Sequence, residues 1–297
     1  MKKRVVIIGA GIGGLATANL LAQKGYHVTV VEQKTTPGGR AGKLEKDGFT
    51  FDTGPSWYLM PDVFDRYLQH FGTSAEAEFD LQKLDPSYQV FFENAEPVTI
   101  TSDLATDAAL FESIETGAGK KLTNYVEKSE RIYRASLDTF LYSNFSSVKD
   151  FLNPRALRHG PGVALLAGQT LHSYVARKFR DQRLRQILEY HMVFLGTSAF
   201  RAPALYSLMS ALDFNEGVFY PQGGIYKIIE RLVAIGKKLG VHYIYATEVQ
   251  HIVVESGVAT GLACKDGSVI PADIVISNAD LHFTETTLVP EAYRTYP

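Results

Sequence analysis

"VVIIGAGIGGL" (residues 5–15) follows Met1-Lys2-Lys3-Arg4 and is open to two structural interpretations. A basic start before an apolar run begins a secretory signal, and Ala16-Thr17-Ala18 even supplies small residues for cleavage. The same stretch carries Gly9-x-Gly11-x-x-Gly14, the turn by which a buried strand meets a nucleotide-binding helix. Context separates the two. Arg4 to Ile8 is a β-branched run suited to a buried parallel strand, and Gly13 to Lys24 has helical spacing at Leu15, Ala18, Leu21 and Ala22, with Gly25 as its stop. His27 to Val31 is a second strand, ending in Glu32. Strand, glycine turn, helix, strand and acid form one βαβ unit, and its glycines make a poor apolar core for a signal. The opening stretch reads as the working end of the protein.

The chemistry follows from geometry. Gly9 permits the tight turn, Gly11 lets the backbone approach a pyrophosphate, and Gly14 brings helix and strand together. Phosphates then sit at the helix N-terminus, where N–H groups and the helix dipole favour negative charge. Glu32 is placed to accept from ribose hydroxyls, and its charge disfavours a 2′-phosphate such as that of NADP.

The chain of 297 residues is 45% apolar and 21% charged, an ordinary globular balance. A net charge of −2 argues against nucleic acid as a partner. Cys264 is alone, which excludes an intrachain disulfide and points to a reducing compartment; the eight histidines lack metal spacing, so no metal is expected. No later stretch has the roughly 20 apolar residues of a spanning helix. Charge is nonetheless uneven: Glu76 to Glu130 holds 12 acidic and 4 basic residues, whereas Arg155 to Arg185 holds 7 basic residues against Asp181. Beside that basic stretch, Val163 to Ala167 is apolar, a combination that suits an anionic bilayer surface.

Downstream, the spacing predicts helices over Val63–Phe71, Leu122–Tyr142, Leu171–Leu195 and from Gly224 to Lys238. It predicts a hairpin of Tyr88–Phe92 with Val98–Thr101, and strands at Tyr243–Tyr245, His251–Glu255, Ala259–Cys264 and Ile274–Ser277.

After Glu32 the chain runs "QKTTPGGRAGKLEKDGFTFDTGPS", with a second glycine loop, Gly38-Gly39-Arg40, and then Asp52-Thr53-Gly54-Pro55-Ser56. This combination resembles the flavin-dependent amine oxidase superfamily, and "GRAGKLEKDGFTFDTGPSWYLMPDVFDRYL" is most similar to its bacterial phytoene and dehydrosqualene desaturases. "EYHMVFLGTSAFRAPALYSLM", "FYPQGGIYKIIERL" and "TEVQHIVVESGVATGLACKDGSVIPADIVISNADL" agree with that family along the rest of the chain.

The resemblance implies an α/β fold: a Rossmann-like FAD-binding domain of residues 1–70 and 218–297, with a largely helical α+β domain for substrate and membrane inserted at 71–217. It implies FAD held by Gly9, Ala10, Gly11, Ile12, Gly13, Gly14, Glu32, Gln33, Gly39 and Arg40. Pro55, Ser56 and Trp57 would lie toward the flavin ring, and Val249 would meet adenine through its backbone. The implied reaction is desaturation of a carotenoid precursor such as phytoene or dehydrosqualene, by hydride transfer from an allylic C–H to flavin with loss of a neighbouring proton. Related carotenoid oxidation or isomerisation, amine oxidation, and non-catalytic FAD or ADP binding are the alternatives. The implied partners are a lipophilic polyene and the membrane surface, with a cytoplasmic location at the inner face of the cell membrane. Family members carry a further glycine- and proline-rich motif that closes over the flavin ring. Nothing here matches it, so a longer chain or a second polypeptide is expected to complete the site. No catalytic residue is assigned. His191, in apolar surroundings, is the most interesting candidate base but reads first as a packing residue, and Arg134 and Asp138 have the spacing of a helical ion pair.

Overall fold

The computed structural model describes residues 2–137, 142 and 166–296. The chain groups into two compact units, Met1–Gln82 with Tyr220–Pro297, and Lys83–Phe219.

The first unit is built on a parallel sheet of four strands. β1 (Arg4–Ile8) leads through α1 (Ile12–Gln23) to β2 (His27–Val31); α2 (Tyr226–Lys238) leads to β3 (His242–Ile244), and β4 (Ile274–Ser277) closes the set. The strand order is β4-β1-β2-β3. Val5 pairs with Ile274 and with Val28, so β1 is flanked on both sides, and Val5, Val6 and Ile7 are buried. A strand covered on both faces needs a continuous apolar run, which is what Val5 to Ile8 supplies. The secretory reading is excluded by this central position. β1 connects to β2 on one side and receives β4 on the other, so the chain direction splits at the carboxyl end of β1, where open α/β sheets form a crevice.

Asn19, fully buried on α1, ties that helix to α2 by donating to the Leu232 carbonyl (2.9 Å) and to the Tyr67 hydroxyl (3.1 Å). An antiparallel sheet of Val249–Glu255, Val258–Cys264 and Val269–Pro271 and a hairpin of Lys43–Lys46 with Phe49–Asp52 complete the strands outside the parallel sheet that lie wholly in this unit. Residues 71–82 belong to it rather than to the middle of the chain: Phe79 packs on Tyr58, and Glu78 pairs with Arg231.

The second unit packs the hairpin Tyr88–Phe92 and Ala95–Ile100 and the helices Leu104–Ile114 and Ala118–Ser136 around Phe111, Leu122, Val126, Phe179 and Ile187. The long helix expected over Leu171–Leu195 is instead Leu171–Ala176, Gln182–Glu189 and a 3₁₀ segment, Tyr190–Leu195. The Glu115 carboxylate accepts from the Arg180 and Asp181 N–H groups (2.7 and 2.9 Å), and Asp181 then caps the next helix through the Arg183 N–H. These bonds occupy the backbone donors a continuous helix would use. Asp138 and most of the Val163–Ala167 insert lie outside the described residues; Arg134 pairs with Glu130 at 2.6 Å.

Asp107 is fully buried, with one carboxylate oxygen accepting from the Thr101 N–H and hydroxyl (2.9 and 3.0 Å) and the other without a partner among the described residues. Burial raises its pKa from 3.8 to about 6, the Thr101 bonds opposing. The folded state therefore binds a proton more tightly than the unfolded chain, so this group's contribution to stability is greatest below about pH 4 and falls as pH rises toward 6. Asp107→Asn is expected to remove a slope on the order of 1–3 kcal/mol between pH 4 and 7. Urea unfolding of parent and variant at both pH values checks it; parallel pH profiles would contradict it.

Candidate functional site

A cavity of about 1010 Å³ opens at the carboxyl ends of β1 and β2. Its floor is the glycine turn. Gly9 leaves β1 with φ +96° and donates to the Val31 carbonyl at 2.8 Å. Gly11, in extended conformation, is the N-cap of α1 and brings no side chain to its first-turn N–H groups. A Cβ on Gly14 would fall 2.1 Å from the Gly9 carbonyl oxygen, so helix and strand touch backbone to backbone there. Gly9, Gly11, Ile12 and Gly13 line the cavity; Ala10 and Gly14 do not, and serve its frame.

Glu32 is buried in the wall and held by the chain itself. One oxygen accepts from the Ala10 N–H at 2.8 Å and the other from the Lys34 N–H at 2.9 Å. Two charge-assisted bonds fix the carboxylate while leaving lone pairs on both oxygens. Gln33 and Lys34 continue the wall. Opposite the turn, the second glycine loop docks on the first: Gly38 bridges Gly11 and donates to the Ala10 carbonyl at 2.9 Å. A Cβ on Gly39 would stand 3.3 Å from the Gly11 Cα. Arg40 is exposed, lines the cavity, and makes no ion pair with any described residue. Pro55 lines it too, but Ser56 and Trp57 do not. Val249 lines it from the start of its strand, beside Thr247 and Glu248.

Sequence reasoning missed Asn278. Its N–H donates to the Ile8 carbonyl (2.9 Å), and its side chain lies over the start of α1, where a Cβ on Gly13 would fall 2.7 Å from Oδ1. Gly13 thus has a packing reason of its own. Asp52, quoted above only as part of a motif, accepts from the Ile225 and Tyr226 N–H groups (2.8 and 3.2 Å) and from the Tyr220 hydroxyl (2.8 Å), which caps α2.

His191 belongs to the other unit, is not among the residues that line this cavity, and is 2% exposed. Its Nε2 is 3.3 Å from an Asp213 oxygen, without the direction of a hydrogen bond. Asp213 accepts instead from the Tyr88 and Tyr190 hydroxyls at 2.6 and 3.2 Å. Burial, reinforced by that carboxylate, pushes both phenols far up, so they stay donors. An apolar groove of about 470 Å³ beside them is lined by Phe91, Phe92, Tyr190, Val193 and Phe200, without His191.

The profile of flavin containing amine oxidoreductases matches residues 12–294. The chain belongs to this family. Flavin is the cofactor of the amine oxidoreductases, and the α/β fold is theirs as well. An oxidoreductase from Methanosarcina mazei superposes with a TM-score of 0.65 at 21% identity, over 96% of this chain and 61% of that one. Putrescine oxidase bound to putrescine gives 0.65 at 17%, over 98% and 61%. Among curated members, the carotenoid 3,4-desaturase of Haloarcula japonica is 40% identical over 294 residues, 98% of this chain and 59% of its own length. The zeta-carotene-forming phytoene desaturase of Myxococcus xanthus is 35% identical, over 98% and 56%. The 4,4'-diapophytoene desaturase of Staphylococcus aureus is 30% identical, over 97% and 57%. The chain thus spans somewhat more than half the length of these relatives.

Proposed function

We propose that this chain forms the FAD-binding part of a flavin-dependent desaturase acting on a carotenoid precursor such as phytoene or dehydrosqualene. The observation that carries the reading is the cavity whose wall holds Glu32 between two glycine loops, in a chain whose relatives are named as carotenoid desaturases. The residues present fit the ADP half of FAD: a helix start whose N-cap Gly11 brings no side chain for the pyrophosphate, an Arg40 across from it with no ion-pair partner among the described residues, and a fixed carboxylate for the ribose. In this reading the N–H groups of Ile12 and Gly13 and the Arg40 guanidinium hold phosphate oxygens. Glu32 accepts from a ribose hydroxyl, Val249 offers its backbone to adenine, and Pro55 faces the flavin end.

When bound, the flavin supplies the two-electron acceptor that C–H removal requires. The chain's own task is to bind and orient it and to keep water from the reacting carbons. Titration of the purified chain with FAD, followed by visible absorption and by conversion of phytoene or dehydrosqualene in lipid vesicles, tests the proposal. Bound flavin with new polyene absorption supports it; a chain that takes up neither FAD nor ADP overturns it.

A polyene insoluble in water must be drawn from a bilayer, so we extend the proposal to peripheral attachment at the inner face of the cell membrane. Among the described residues no helix is long and apolar enough to cross a membrane. Support comes from the basic run: Arg177 and Arg180 are exposed, and Lys178 lies over the Tyr174 ring, although Arg183 is paired with Asp181 at 2.9 Å. Each free cation is worth about 1 kcal/mol near an anionic surface. Neutralising Arg177, Lys178, Arg180, Arg183 and Arg185 together is expected to reduce co-sedimentation with anionic liposomes strongly while FAD binding persists. Added salt should weaken the parent's binding. Unchanged co-sedimentation would remove the membrane claim.

A further inference from the structure

Tyr226 opens α2, yet its side chain serves a loop far earlier in the sequence. Its hydroxyl donates to the Pro37 carbonyl at 3.0 Å. Its ring closes on Gly38, where a Cβ would lie 3.2 Å from the ring edge and 2.7 Å from the Ala41 carbonyl oxygen. Lys43 stands over the same ring, 5.0 Å from its centre. Burial raises the phenol pKa, Lys43 opposing, so the hydroxyl remains a donor at neutral pH.

The residue is itself anchored. Asp52 accepts from the N–H groups of Ile225 and Tyr226 and from the Tyr220 hydroxyl. The chain just after Asp52 holds the far end of the loop: the Thr53 N–H donates to the Gly42 carbonyl at 3.0 Å, and a Cβ on Gly54 would fall 1.9 Å from the Arg40 carbonyl oxygen. Gly38 has φ +122° and Gly39 φ +59°, two consecutive residues in a region that an unbraced loop leaves easily. Neither Tyr226 nor Asp52 lines the cavity.

We propose that Tyr226 is a positioning residue for the cofactor pyrophosphate, acting through the Pro37–Arg40 loop that presents the Arg40 guanidinium. The proposal rests on reading the cavity as the ADP half of an FAD site. A loop held in its bound conformation before the ligand arrives forfeits less freedom on binding, and the gain appears as affinity.

Tyr226→Phe removes one hydroxyl and leaves the ring on Gly38 and the α2 cap in place. ADP and adenosine are titrated by calorimetry into the full chain, as parent, Tyr226→Phe, Arg40→Ala and the double variant. Tyr226→Phe is expected to raise the Kd for ADP about 3- to 10-fold, the scale of one lost hydrogen bond, and to leave adenosine unchanged. In the Arg40→Ala background the same change should cost less than about 2-fold, because residues acting through one group are non-additive. A general loosening of the fold would move adenosine as well and would add in full to Arg40→Ala. Unchanged ADP affinity, equal loss on adenosine, or full additivity each overturns the proposal. Gly11→Val distinguishes the two levels: if it too leaves ADP binding intact, the reading of the cavity falls. If it weakens binding while Tyr226→Phe does nothing, only the role of Tyr226 falls.

Discussion

Gly11→Val is expected to weaken ADP and FAD binding about 30-fold or more in a chain that stays folded, whereas Gly14→Val is expected to unfold the parallel-sheet unit. The two glycines stand one helical turn apart but answer to different neighbours. A Cβ on Gly14 would meet the Gly9 carbonyl oxygen at 2.1 Å, a backbone atom of the turn that cannot swing aside. The clash forces α1 away from β1, at about 3 kcal/mol or more. At Gly11 the nearest atom to a Cβ is the amide nitrogen of Asn278 at 3.5 Å, and φ is −74°, which any residue adopts. The protein has room for a Cβ there; the pyrophosphate of the proposed site does not. In the proposed site valine there would fill the space in which phosphate oxygens reach the first-turn N–H groups, and losing that approach is expected to cost about 2 kcal/mol or more, roughly 30-fold in Kd. Thermal unfolding and ADP titration of both variants separate the effects. A Gly11→Val chain that binds ADP like the parent would show that the cavity is not the phosphate site.

What the sequence discloses about this unit is what local chemistry enforces. Gly9, Gly14 and the apolar run Val5 to Ile8 each act on near neighbours, and the strand–turn–helix–strand order can be read from them directly. The hairpin of Lys43–Lys46 and Phe49–Asp52 was legible too: Asp47 and Gly48, both at positive φ, are the residues that a two-residue turn selects. It is nonetheless absent from the strands that the spacing predicts. Other features depend on contacts between distant segments. Glu115 ends a helix that the spacing of Leu171 to Leu195 would continue, and Asn278 reaches the start of α1 from the far end of the unit. Neither residue carries a local pattern to mark it. His191 shows the converse: its apolar neighbours drew attention, but its place beside Asp213, behind two tyrosine hydroxyls, gives it no face on the groove.

Glu32→Ala is expected to weaken ADP and FAD binding about 10- to 100-fold and also to destabilise the unit by about 2 kcal/mol. Both effects follow from one carboxylate. Its two oxygens accept from the Ala10 and Lys34 N–H groups, so truncation removes two charge-assisted acceptors and leaves only cavity water to replace them. The loss spreads, because the Ala10 carbonyl accepts from the Gly38 N–H and so seats the second glycine loop. Glutamine is no substitute: with a donor facing each oxygen, one end of its amide must set N–H against N–H, and Glu32→Gln should lose stability and affinity as well. In the proposed site the negative charge is also expected to disfavour an adenosine 2′-phosphate. Glu32→Ala should therefore narrow the preference for ADP over 2′,5′-ADP even as both bind more weakly. Calorimetric titration of parent, Glu32→Ala and Glu32→Gln with the two nucleotides checks each part. If the variants bind ADP like the parent, Glu32 is a structural acceptor for the turn and the ribose assignment is wrong. If ADP weakens while the preference stays fixed, the carboxylate holds the ribose without screening its 2′ position.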